Sequence, residues 1–233
     1  MRASAVPVLC VVALVVCAPG SAHRVVDDPC IRAGETPVQL TTSDGASVYG
    51  VEVGDGTTGI VLGHQYLSDH CELIDVARQL ASAGYRALTI DFRGFGASSG
   101  GAAYHYERDV AAAVARLRAD GALRVKLVGA SMGGTAVLVA ASSIAPPVDG
   151  VVSLSGPARY HGLDALSAVR RSRIPVRFVV GKTDRPFAAD AVALMKAAAA
   201  RDKAILRLPG GRHGSSLLDQ PRGLSFVLQF LAR

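Results

Sequence analysis

Arg124-Val125-Lys126-Leu127-Val128-Gly129-Ala130-Ser131-Met132-Gly133-Gly134-Thr135-Ala136-Val137-Leu138-Val139-Ala140-Ala141 is the stretch on which the reading of this chain turns. Its apolar opening predicts a strand over 125–129, and its second half predicts a helix over 133–143. Between them lies Gly129-Ala130-Ser131-Met132-Gly133, a serine on a sharp turn with small residues on both sides to relieve crowding around a strained backbone. A second G-x-S-x-G occurs at Gly96-Ala97-Ser98-Ser99-Gly100. It lies seven residues past a predicted strand end at Asp91, inside a Gly-rich loop with more Gly after it. Context therefore selects Ser131 over Ser98.

Working outward, the same alternation continues on both sides. Strands are expected over 59–64, 86–91, 148–154, 176–180 and 204–208, with helices over 72–83, 106–120, 188–200 and 217–231. Strands that are apolar throughout, separated by helical patterns of this length, predict a parallel sheet covered on both faces. Ahead of them, 37–40 and 47–53 flank Thr42-Ser43-Asp44-Gly45, a hairpin turn that makes the entry antiparallel. The connection 154–173 has room for one short helix and no lid domain.

Half of the 233 residues are hydrophobic, only 19% are charged, and there is no Trp. The chain is long enough for one well-buried core and too apolar for disorder. Ala, Gly and Val dominate, which suits β-branched strands meeting small-residue helices. The domain is read as 37–233, preceded by an arm over 23–36.

A serine hydroxyl needs a base, and the base needs an orienting carboxylate. Asp184 falls just past the 176–180 strand, and His213 follows the last strand in a Gly-rich loop able to reach back over the sheet edge. The order Ser131, Asp184, His213 is that of a nucleophile turn followed by acid and then base. Each has a bland alternative: His213 as a loop histidine, and Asp184 as a helix N-cap. Asp190 or Asp164 would replace Asp184 as the acid.

With these residues in place, the chain resembles the α/β-hydrolase family over about 37–231, in its lidless serine-esterase and serine-peptidase-like branch of exported bacterial type. Asp91-Phe92-Arg93-Gly94-Phe95-Gly96-Ala97-Ser98 resembles the D-x-R-G-x-G-x-S segment of many lidless members, which supplies no nucleophile. The resemblance implies the α/β-hydrolase fold, a doubly wound mostly parallel sheet with little or no lid, and acyl transfer through Ser131. Where many members carry His-Gly-x for the oxyanion hole, this chain has His64-Gln65-Tyr66. By position the backbone N–H groups of Tyr66 and Met132 would bind the oxyanion. With Gln in place of Gly, a different turn would make Gln65 the donor instead. His64 is read as packing the loop or as taking part directly.

Carboxylic esters, with thioesters beside them, are the expected substrates. A peptidase on the same scaffold would need an acidic group for a substrate amine, for which Glu107 and Asp109 are the candidates. A secreted binding protein that keeps the fold is the reading outside enzymes. No cofactor is expected: H-E-x-x-H, zinc-spaced Cys/His sets and the phosphate loop G-x-x-x-x-G-K-[ST] are all lacking, and Gly94-Phe95-Gly96 does not complete a dinucleotide fingerprint.

The N-terminus reads as an export signal. Arg2 precedes an apolar run over 8–18 and Pro19-Gly20-Ser21-Ala22, predicting a signal peptide 1–22 cut after Ala22. An uncleaved anchor is the alternative, although the run is shorter than the roughly twenty residues a spanning helix needs. Cys10 and Cys17 fall within it, leaving Cys30 and Cys71 for a disulfide in an oxidising compartment. The net charge of +6 is scattered. The Arg170, Arg171, Arg173 cluster has no interleaved aromatics, so nucleic acid is not an expected partner. A secreted monomer acting on a small-molecule ester, without stable membrane insertion, is the expectation.

Overall fold

In the computed structural model, which describes residues 28–233, the chain forms an eight-stranded sheet with helices on both faces. The expected signal segment and the start of the arm lie outside the described residues. Strands β1 (Thr36–Thr41) and β2 (Ser47–Val53) form the hairpin. Then follow β3 (Thr58–Gly63), a 3-10 turn (His70–Leu73) leading into α1 (Ile74–Ser82), and β4 (Arg86–Ile90). The centre is α2 (Tyr106–Ala119), β5 (Arg124–Ala130), α3 (Met132–Ala141) and β6 (Gly150–Leu154).

The connection after β6 holds a two-residue hairpin, β7 (Arg159–Tyr160) and β8 (Leu163–Asp164), and the short α4 (Ala165–Arg171). The chain closes with β9 (Val176–Gly181), α5 (Phe187–Ala197), β10 (Lys203–Leu208), a 3-10 turn (Gly214–Leu217) and α6 (Pro221–Leu231). The spatial order is β1-β2-β4-β3-β5-β6-β9-β10, parallel except where β2 pairs with β1 and β4. The expected elements are present, with ends shifted by one to a few residues. Two of the expected helices start late: the one expected over 72–83 begins at Ile74 after the 3-10 turn His70–Leu73, and the one expected over 217–231 begins at Pro221 after the 3-10 turn Gly214–Leu217.

Alternation across the pleat explains why the strands read as apolar throughout. In β5, Val125 and Leu127 join the core under α2, α3 and α4, while Val128 and Ala130 join the core under α1 and α6. Helix α3 sits at the centre with nine of its ten residues buried. That is why its sequence is apolar on all sides rather than striped. At the opposite end of β5, buried Lys126 donates to the carbonyls of Phe230 and Leu231 at 3.1 and 2.8 Å, satisfying the last turn of α6. Burial pushes its ammonium pKa down.

The N-terminal arm is fixed by the Cys30–Cys71 disulfide. Beside it, His70 donates from Nδ1 to Asp91 and from Nε2 to Asp28, each at 2.9 Å. Burial alone would lower the pKa of this imidazole, but the Asp91 carboxylate, with help from Asp28 and Asp69, brings it out raised. Asp28, Cys30, His70 and Cys71 bring four metal-type donor atoms within 4.8 Å of one another. Two of those donors are sulfurs already joined to each other, so the corner acts as a covalent and ionic clasp. Among the described residues no helix is long and apolar enough to cross a membrane.

Candidate active site

Strand β5 delivers Ser131 to the carboxyl edge of the sheet, where its backbone adopts φ 47° and ψ −113°. A side chain in such a conformation costs about 1–3 kcal/mol and persists only where the surroundings over-determine it. They do so here. The Ser131 N–H donates to the carbonyl of Leu154 at 2.8 Å. A Cβ at Gly129 would lie 2.2 Å from the Gly133 carbonyl oxygen, and one at Gly133 would lie 2.5 Å from that of Gly63. Both motif glycines are therefore required by close backbone approach. The turn holds the hydroxyl clear of the strand, at the positive end of α3.

Ser131 Oγ donates to His213 Nε2 at 2.7 Å, and His213 Nδ1 donates to Asp184 Oδ2 at 3.0 Å. The three residues come from the ends of β5, β10 and β9, in a line from hydroxyl to carboxylate. Asp184 is buried and also accepts from the Ser155 hydroxyl at 2.7 Å, so its carboxylate is held from two sides. The His213 ring packs against Phe187, with centroids 4.2 Å apart. Asp184 caps nothing with its side chain: α5 has no side-chain N-cap. The alternative acids are committed elsewhere, Asp164 to the N–H of Ser167 and Asp190 to that of Ala158.

The loop after β3 settles which N–H groups are free. The Gln65 N–H, an alternative oxyanion donor by sequence, donates to Glu72 Oε2 at 2.8 Å and is not available. The N–H groups of Tyr66 and Met132 have no acceptor among the described residues. Among the described residues His64 makes no hydrogen bond to Ser131, His213 or Asp184. Its Nδ1 donates to the Gln65 carbonyl at 2.7 Å and its Nε2 accepts from the Phe92 N–H at 3.0 Å. Burial lowers its pKa, in keeping with a neutral ring in that tautomer. Gln65 fits at this position because Gly214 opposes it: a Cβ at Gly214 would clash with Gln65 Oε1.

The sequence model described as the alpha/beta hydrolase fold matches residues 60–171. Among solved structures, the Pyrococcus furiosus esterase Pf2001 superposes with a TM-score of 0.73 at 20% identity, over 85% of this chain and 92% of that one. This chain has the α/β-hydrolase fold. The Rhodococcus sp. ECU1013 esterase RhEst1 gives 0.69 at 19% identity, over 84% of this chain and 98% of that one. A Bacillus anthracis bromoperoxidase gives 0.69 at 17% identity, over 84% and 99%. No curated protein matches the chain in sequence. Proteins named for different activities superpose equally well, so the α/β-hydrolase fold alone does not select the reaction.

Within this hydrolase fold the second serine motif is structural. Ser98 Oγ donates to the Asp91 carbonyl and accepts from the Tyr49 N–H, with no histidine on it. The two acids considered for an amine-binding site are also occupied: Asp109 is buried on Arg93, and Glu107 pairs with His105 and Arg108. An open groove of about 580 Å³ is lined by Tyr66, Phe95, Tyr104 and Tyr106; Ser131, Asp184 and His213 are not in its lining. Two residues of the site are not singled out by sequence reading, Ser155 and Glu72. Ser155 stands one residue past β6 at φ 51°, and only that position at a strand end could have flagged it.

Proposed function

We propose that this protein is an exported serine hydrolase that cleaves carboxylic esters. The observation that carries this reading is the unbroken hydrogen-bonded line Ser131–His213–Asp184, with Ser131 held in a strained turn at a helix start. In the proposed reaction His213 Nε2 takes the Ser131 proton as Oγ attacks the ester carbonyl. Asp184 holds the Nδ1–H and stabilises the imidazolium. The Tyr66 and Met132 N–H groups receive the developing oxyanion; removing one such donor typically costs about 100- to 1,000-fold in turnover. The imidazolium returns its proton to the departing alcohol, and water activated by His213 then releases the acid.

The occupied states of Asp109 and Glu107 favour esters over peptides. The groove at Tyr66 is open, without a lid domain, which suits a small soluble ester. Export is supported by the 1–22 pattern and by a disulfide of the kind that persists in oxidising compartments.

The test is fluorophosphonate labelling of wild type, Ser131→Ala and Ser98→Ala, with hydrolysis of p-nitrophenyl esters of increasing chain length beside aminoacyl anilides. Labelling and ester turnover lost only in Ser131→Ala are expected. Labelling that survives in Ser131→Ala, or faster turnover of anilides than of esters, refutes the reading.

A further inference from the structure

We infer that Glu72 is a positioning residue of the Ser131 site, clamping the oxyanion loop and the histidine loop together; this rests on the ester-hydrolase reading. One carboxylate oxygen accepts from the Gln65 N–H at 2.8 Å and the other accepts from Ser215 Oγ at 2.5 Å. Gln65 immediately precedes Tyr66, the expected oxyanion donor. Ser215 lies two residues after His213. A single side chain therefore sets the relative position of two parts of the site that arrive from opposite ends of the sequence.

The clamp also accounts for the departure from His-Gly-x. Peptide planes in a turn are coupled: with the Gln65 N–H drawn back to Glu72, the next N–H, that of Tyr66, is left without a protein acceptor. The His-Gly-x pattern would put a glycine at this point in the loop. Here the turn is held by an ionic acceptor instead, and the Gln65 side chain packs into the space that Gly214 leaves open.

Glu72 can act as a fixed point because its neighbours are immobilised. The His70 N–H and Nδ1 both donate to Asp91 Oδ1, Cys71 is bonded to Cys30, and the Cys71 N–H is capped by Asp69. Three consecutive residues thus attach to the sheet, to the N-terminal arm and to the two loops of the site. Glu72 touches no reacting atom and moves no proton. Its effect is confined to the placement of Tyr66 N–H and His213.

The experiment compares wild type with Glu72→Ala, Glu72→Gln and Ser215→Ala on one p-nitrophenyl ester. It reads kcat and KM separately, together with the affinity of a trifluoromethyl ketone, whose serine adduct carries the same oxyanion as the transition state. Misplacing groups by about 1 Å can cost on the order of 100-fold, and a fall of that size in kcat is expected for Glu72→Ala. KM should change by less than about threefold, since only transition-state contacts are lost. Ketone affinity should fall in step with kcat/KM.

Glu72→Gln should recover most of the activity, because its amide oxygen can accept from Gln65 while its NH2 donates to Ser215. Ser215→Ala should fall between. Should Glu72→Ala not fold, Glu72→Gln and Ser215→Ala decide alone. The inference is overturned if folded Glu72→Ala keeps kcat/KM within about threefold of wild type, if the loss sits in KM with kcat unchanged, or if Glu72→Gln is as impaired as Glu72→Ala. It is likewise overturned if Ser215→Ala is indistinguishable from wild type. A wild type without ester turnover or Ser131-dependent labelling overturns the ester-hydrolase reading itself, which the variants do not address.

Discussion

Replacing Ser155 by Ala removes a single hydroxyl from beneath the candidate acid. Ser155 is fully buried, and its Oγ donates to Asp184 Oδ2 at 2.7 Å, the shortest contact that carboxylate makes. Alanine keeps the Cβ, so the strain of φ 51° is the same in both proteins and cancels from the comparison. What is lost is a hydrogen bond to a carboxylate, worth about 1.5–3 kcal/mol. At about 2–4 °C per kcal/mol for a chain of this length, Tm should fall by roughly 3–12 °C. With only His213 left to hold it, Asp184 gains freedom to rotate, and kcat/KM should fall about tenfold, equivalent to about 1.4 kcal/mol.

Urea unfolding and ester turnover measure the two effects. Because the hydroxyl acts through Asp184, the stability loss should largely vanish when Ser155→Ala is made in an Asp184→Ala background. Equal losses in the two backgrounds, or wild-type turnover in Ser155→Ala, would refute the argument.

Three further outcomes are expected. His70 has a raised pKa in the folded protein, so its pairing with Asp28 and Asp91 stabilises fully below its unfolded value of about 6.5, and that contribution is lost as pH rises through the folded pKa. The unfolding free-energy gap between wild type and His70→Gln should therefore shrink with rising pH; a gap that widens would reverse the sign. Reducing Cys30–Cys71, which are 41 residues apart, should cost about 4 kcal/mol in the chain-entropy treatment, read as a lower urea midpoint with a phosphine reductant. An unchanged midpoint would mean that the arm is held without the disulfide, by Arg78 on Glu35 and the Cys30 carbonyl and by His70 on Asp28. Lys126→Met should destabilise by about 1–3 kcal/mol, because the Phe230 and Leu231 carbonyls lose their donor in a buried site; greater stability in the methionine variant would contradict this account of Lys126.

Local pattern was sufficient wherever the chain's physics is local. The strands of β3, β5 and β9 are recognisable because both faces are buried and little polar residue is tolerated. The turn at Ser131 is recognisable because the Gly129 and Gly133 backbones must pass within contact distance of their neighbours. Asp184 and His213 were legible from their places just beyond strand ends, since a parallel sheet brings all such ends to one edge. Glu72 and Leu73, the end of the 3-10 turn, read as the start of α1 because the turn runs into the helix without a gap, and the Asp91 carboxylate that holds the His70 N–H lies 21 positions away.

What only the tertiary structure decided are contacts between residues that carry no mark in the sequence. Gln65 is an acceptable oxyanion donor by position until Glu72 is seen to occupy its N–H. Ser155 is an ordinary small residue after a strand until it is found under Asp184, 29 positions away. Ser215 and Glu72 are 143 positions apart and meet only because the loop after β10 runs back past β9, β6 and β5, the three strands that separate it from β3 in the sheet. Periodicity and turn chemistry depend on a few neighbouring residues and can be read directly from them. Which hydrogen-bond donor is left free depends on every group that folding brings within 3 Å of it, and that is set by the packing of the whole chain.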